Sequence, residues 1–126
     1  MIVERSQADW LQDIREAISN IQRYRAAVER NPDAFPLGML EQATMDNLTI
    51  IGEAAKHLSE DVTSRAPEIP WRRIAGFRNV VVHEYWGRDP EIIANTIDEH
   101  LPQLDAALAR VQRELIEERE SKNGFI

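Results

Sequence analysis

The sequence predicts an all-α fold, an antiparallel bundle of four to five helices, and three observations carry that prediction. Apolar residues recur at three- and four-residue steps through most of the 126 residues, the spacing of one helix face. Prolines and cap-forming side chains punctuate those stretches where helices should start and stop. The Val80-Val81-Val82 run could suggest a strand but finds no partner strand elsewhere, and a lone strand would leave its backbone unpaired.

The first helix is expected over about 6–30, with Trp10, Ile14, Ala17, Ile18, Ile21, Tyr24 and Val28 on its apolar stripe. Ser6 followed by Asp9 resembles a capping box, and Asn31-Pro32-Asp33 ends the helix because proline cannot continue the hydrogen-bond ladder. A second helix is expected over about 37–58, with Leu40, Ala43, Thr44, Leu48, Ile51, Ala54, Ala55 and Leu58 inward. Gly52 lies inside it, at a cost of about 1 kcal/mol against alanine in an exposed helix, and marks a close helix–helix approach. Residues 60–70 read as a connection.

Pro70 opens a short third helix over about 71–82, and Asp89-Pro90 caps a fourth. Ile92, Ile93, Thr96, Ile97, Leu101, Leu104, Leu108, Val111 and Leu115 form the stripe of the fourth. Pro102 sits inside that stripe and should kink the helix or split it. The tail from Glu117 is charged and then glycine-containing, and is expected to fray. The whole, 1–126, reads as a single domain with its core over about 6–116.

Composition narrows the function classes. At 43% hydrophobic and 29% charged, the chain is neither disordered nor collagen-like. A domain of this length buries roughly two-thirds of the surface its unfolded chain exposes, so no metal staple is needed. The absence of cysteine excludes disulfides, thiolate zinc sites, iron–sulfur clusters and a cysteine nucleophile. No apolar run approaches the roughly 20 residues that span a bilayer, and the N-terminus does not read as a secretory signal. The expectation is a cytoplasmic protein with no membrane role.

The net charge is −7, the wrong sign for a protein that coats nucleic acid. Its distribution is uneven. Residues 65–88 hold five arginines (65, 72, 73, 78, 88) against Glu68 and Glu84, a local balance of +3 that leaves −10 for the rest. Two readings stand equal on charge alone: a local anion site, or arginines paired with acids across helix packing.

Of the three histidines, His57 and His100 stand on plain amphipathic helices, and no pair has metal-ligand spacing. His83 has company in Arg78-Asn79-Val80-Val81-Val82-His83-Glu84-Tyr85. Asn79 and His83 are one helical turn apart on one face, with Arg78 one step around and Tyr85 near the helix end. Imidazole gives or takes a proton near neutral pH, guanidinium holds phosphate in bidentate fashion, and an amide orients an oxygen. That set suits phosphodiester chemistry without a metal or other cofactor. On spacing alone, structural packing ranks ahead of catalysis.

A wider pattern reverses that order. Pro70-Trp71, Gly76, Arg78-Asn79 and His83-Glu84-Tyr85 resemble the HepT-like ribonuclease toxins of the HEPN superfamily, whose hallmark is Arg, four residues, His, one residue, Tyr. Ile51-Gly52-Glu53-Ala54-Ala55-Lys56, Pro67-Glu68-Ile69-Pro70-Trp71 and the run 97–104 are similar to further signatures of that family. The resemblance covers about residues 10–110.

It implies a helical homodimer whose motif helices form one composite cleft, which would bring two +3 segments together on RNA. It implies metal-independent RNA cleavage with the ribose 2′-OH as nucleophile: His83 as acid–base residue, Arg78 holding the phosphate and Asn79 orienting it. Arg72, Arg73 and Arg88 would contact RNA phosphates. Tyr85 matches the tyrosine that a partner nucleotidyltransferase antitoxin (MntA-like) modifies with AMP, and the added phosphate would repel RNA. The alternatives are a non-catalytic helical dimer that binds nucleotide or RNA, or docks a nucleotidyltransferase, and a purely structural dimerisation domain.

Overall fold

In a computed structural model, which describes residues 5–77 and 95–123, the first helix begins at a capping box. Ser6 Oγ accepts from the Asp9 backbone N–H at 3.1 Å, and Asp9 accepts from the Ser6 N–H at 3.0 Å. Two of the amides that a helix start leaves unpaired are thereby satisfied. Helix α1 (Gln7–Arg30) buries Leu11, Ile14, Ala17, Ile18 and Ile21, the face expected from the spacing. It stops at Asn31, whose N–H still reaches the Ala27 carbonyl at 3.2 Å.

Helix α2 (Met39–Lys56) starts two residues later than the apolar pattern suggests, because Gly38 takes a left-handed φ of 83°. A residue with a Cβ would be strained there. Leu48, Ile51, Ala54 and Ala55 face the core from α2. The connection after it is not plain loop. Ser59 caps a single turn, α3 (Glu60–Thr63), by accepting from the Val62 N–H at 3.3 Å, and Val62 is buried.

Helix α4 (Trp71–Ala75) follows Pro70, which occupies the cap position rather than the first helical position. The expected continuation of α4 through Val82 and the helix start at Asp89-Pro90 lie outside the described residues. The fourth amphipathic stretch is split, as Pro102 requires. A π-helical turn, Thr96–His100, gives way to α5 (Leu101–Asn123) one residue before the proline. Pro102 has no N–H to give Asp98, its acceptor in an α-ladder, and the wider turn falls on that carbonyl's side of the proline. Helix α5 also corrects the expected fraying after Glu117: it stays helical to Asn123.

Side-chain pairs give the helix directions. The start of α1 meets the end of α2: the Gln7 amide donates to the His57 carbonyl at 2.9 Å and accepts from the Ser59 N–H at 2.7 Å. Further along, Asn20 donates to Asn47 at 3.4 Å, so the two helices are antiparallel. Helix α5 also runs against α1. Arg25 pairs with Asp98 at 2.7 Å, Arg15 with Asp105 at 2.9 Å, and Gln112 donates to Gln12 at 3.2 Å. Between the helices lies one apolar core built on Leu11, Ile14, Ile18, Ile21, Ile51, Leu101, Leu108 and Val111. Each such side chain contributes about 1.5–3 kcal/mol on leaving water. Every regular element among the described residues is helical, and the fold is all-α.

Candidate active site

The motif residues Arg78, Asn79, His83 and Tyr85, with Arg88, lie outside the described residues. The structure describes the helix that leads into them. Helix α4 turns Ile74 into the core and Arg72 and Arg73 to solvent. Trp71 anchors its first turn, for the indole N–H is shared between the Thr63 and Ala66 carbonyls, each at 3.1 Å. Phe77, just past α4, packs against the core.

The seat of α4 is a glycine on α2. A Cβ built on Gly52 would lie 3.1 Å from the Ile74 carbonyl oxygen and 3.4 Å from that of Ala75. The close approach expected of this glycine is present, and its partner is the backbone of α4 itself.

Two arginines clamp the connection that precedes α4. Arg65 donates to both carboxylate oxygens of Glu118, at 2.7 and 3.0 Å, and pairs with Asp61 at 3.3 Å. Arg110 on α5 donates to the Arg65 carbonyl at 3.1 Å and to the Glu68 carboxylate. The Glu118 partner raises the Arg65 pKa, and Arg65 in turn holds the Glu118 carboxyl below its ordinary range. Arg110 does the same to Glu68. These pairs bridge 53 and 42 residues of sequence, so no local pattern announces them.

The clamp sorts the arginine-rich segment. Arg65 and Glu68 follow the packing reading, since each is matched within the fold by an opposite charge. Arg72 and Arg73 have no carboxylate partner among the described residues and stand exposed. An exposed guanidinium fork is a ready ligand for phosphate oxygens.

The remaining histidines take other places. His57 closes α2, with its ring stacked on Trp10 at 4.1 Å between centroids and 6° between planes. Arg5 lies over the same indole at 4.5 Å. His100 is exposed in the π-helical turn. No three histidine, aspartate or glutamate side chains among the described residues gather as metal ligands. No described helix is long and apolar enough to cross a membrane.

Comparison with known proteins matches this fold to one family. The profile described as Ribonuclease HepT-like matches residues 14–111, from the first turns of α1 to the middle of α5. A protein of Thermococcus cleftensis named "Probable ribonuclease HepT" is 32% identical over 111 residues, covering 88% of this chain and 100% of the relative. One from Methanocaldococcus jannaschii, named as a candidate RNase, is 27% identical over 95 residues, covering 75% of this chain and 86% of its own. Another candidate RNase, from Caldanaerobacter subterraneus subsp. tengcongensis, is 36% identical over 73 residues, or 58% of this chain and 65% of its own. No solved structure matches the chain. A helical bundle that aligns over 88% of its chain with the full length of the Thermococcus cleftensis relative, and whose α4 seat and exposed arginines fall inside the matched span, belongs to the ribonuclease HepT-like family and is an RNA-cleaving enzyme.

Proposed function

We propose that this ribonuclease is the toxin of a toxin–antitoxin pair, a homodimeric endoribonuclease that cleaves RNA without a metal through Arg78, Asn79 and His83. One observation carries the reading: α4, which ends three residues before Arg78 in sequence, holds Arg72 and Arg73 at the surface. Arg65 and Glu68 are matched inside the fold, so of the described arginines in segment 65–88 the two without a carboxylate partner among the described residues stand next to the motif in sequence.

In the reaction, His83 takes the proton of the ribose 2′-OH as the 2′-oxygen attacks phosphorus. The bond from phosphorus to the 5′-oxygen breaks, and the imidazolium returns the proton to that oxygen. The products are a 2′,3′-cyclic phosphate and a 5′-hydroxyl. Arg78 meets the charge that develops on the phosphoryl oxygens, and Asn79 orients the group. Arg72, Arg73 and Arg88 hold flanking phosphates. Two such segments meeting in a dimer reconcile RNA binding with an acidic subunit.

Tyr85 is the switch. An MntA-like nucleotidyltransferase transfers the AMP group of ATP to its phenolic oxygen, breaking the bond to the β-phosphate so that pyrophosphate leaves, which puts a phosphodiester among the arginines and repels the substrate.

The test is a time course of total RNA with purified protein in EDTA, beside His83→Ala, with the mass of Tyr85 checked. Wild type that cleaves and a variant that does not are expected. Equal cleavage by His83→Ala, or intact RNA with an unmodified Tyr85, would overturn the reading.

A further inference from the structure

We propose that Gly52 is a positioning residue for RNA cleavage: by letting the backbone of α4 rest on α2, it sets where the following motif residues stand. The inference rests on the reading of Arg78 and His83 given above. Gly52 is buried in α2, and the space a Cβ would take is bounded by the Ile74 and Ala75 carbonyl oxygens at 3.1 and 3.4 Å. Those atoms are backbone, so no side-chain rotation relieves the contact. Either helix must shift by a few tenths of an ångström.

On its other side α4 has little freedom. Ile74 is in the core, the Trp71 indole is bonded to two carbonyls, and the clamped connection from Arg65 to Glu68 precedes it. A shift forced at Ile74 and Ala75 falls immediately before the motif in sequence, with Arg78 three residues beyond Ala75 and His83 eight. A displacement of about 1 Å at reacting groups costs roughly a hundredfold in rate, so a fraction of that costs roughly tenfold.

Single-turnover cleavage of total RNA by excess full-length protein tests this, because the rate constant and the amplitude report different things. At saturating protein the rate constant does not depend on how much of the protein is folded, and the amplitude falls only when folded protein drops below the RNA concentration; misplaced groups lower the rate constant. Gly52→Ala is expected to keep its amplitude and helical circular dichroism while its rate constant falls about tenfold. Ile18→Val, a core change on α1, should keep the wild-type rate constant. If Gly52→Ala matches wild type in rate while His83→Ala is inactive, the inference fails and the catalytic reading stands. Loss of fold or of amplitude alone in Gly52→Ala would make the glycine purely structural and overturn the inference too. Cleavage by His83→Ala at the wild-type rate would instead remove the catalytic reading.

Discussion

Arg65 and Glu118 face each other through a two-pronged ion pair, at 2.7 and 3.0 Å, that ties the segment leading to α4 to the last turns of α5. The guanidinium is mostly enclosed, with 18% of its side chain exposed, and its Nε has no hydrogen-bond partner among the described residues. Removing the Glu118 carboxylate would leave the guanidinium only the more distant Asp61 and Glu114 carboxylates, at 3.3 and 3.6 Å.

Arg65→Ala should therefore lower the melting temperature by several degrees, and Glu118→Gln should lower it as well. The double variant should fall short of the sum of the two, because the residues act on one contact. Thermal melts followed by circular dichroism measure all three. Additive losses would mean that the pair is not energetically coupled.

Acid should weaken the fold through three carboxylates. The Ser6 backbone N–H, and then its hydroxyl, hold Asp9 below its ordinary 3.8. Arg110 and Arg65 hold Glu68 and Glu118 below 4.5. A carboxyl with a depressed folded pKa stabilises fully above its unfolded value and loses that contribution as pH falls through the folded one. Stability should be flat from neutral pH to about 5 and decline below about 4.5. Glu68→Gln and Glu118→Gln should shallow that decline in urea titrations at stepped pH.

Arg72→Ala and Arg73→Ala should weaken RNA binding without moving the melting temperature, because both side chains stand in solvent. Each lost phosphate contact should reduce the slope of log affinity against log salt by about 0.7, the single-strand value. A catalytically silent His83→Ala background keeps the RNA intact during the titration. An unchanged slope in both variants would exclude them from the phosphate contacts.

The Trp10–His57 stack joins the start of α1 to the end of α2 and should contribute about 0.5–1.5 kcal/mol beyond simple burial. A double-mutant cycle of Trp10→Ala and His57→Ala gives that coupling directly. Zero coupling would reduce His57 to a bystander.

The sequence by itself determined the helical class, the faces that α1, α2 and α5 bury, and the Ser6 capping box, because each depends on residues three or four apart. It also carried the family pattern, and it marked Gly52 as a close approach and Pro102 as a break. What Gly52 approaches was decided in three dimensions, since its neighbours Ile74 and Ala75 lie more than twenty residues away. The same holds for the arginines of segment 65–88. Charge counting treats Arg65 and Arg72 alike, and the arrival of α5 beside the connection gives Arg65 the Glu118 carboxylate in addition to its neighbour Asp61, while Arg72 stands in water. Helix α5 continues past its expected fraying point to Asn123, and there Glu118 has a partner 53 residues away. Local spacing determines which face a helix turns inward; which charges are matched depends on what the folded chain lays against it.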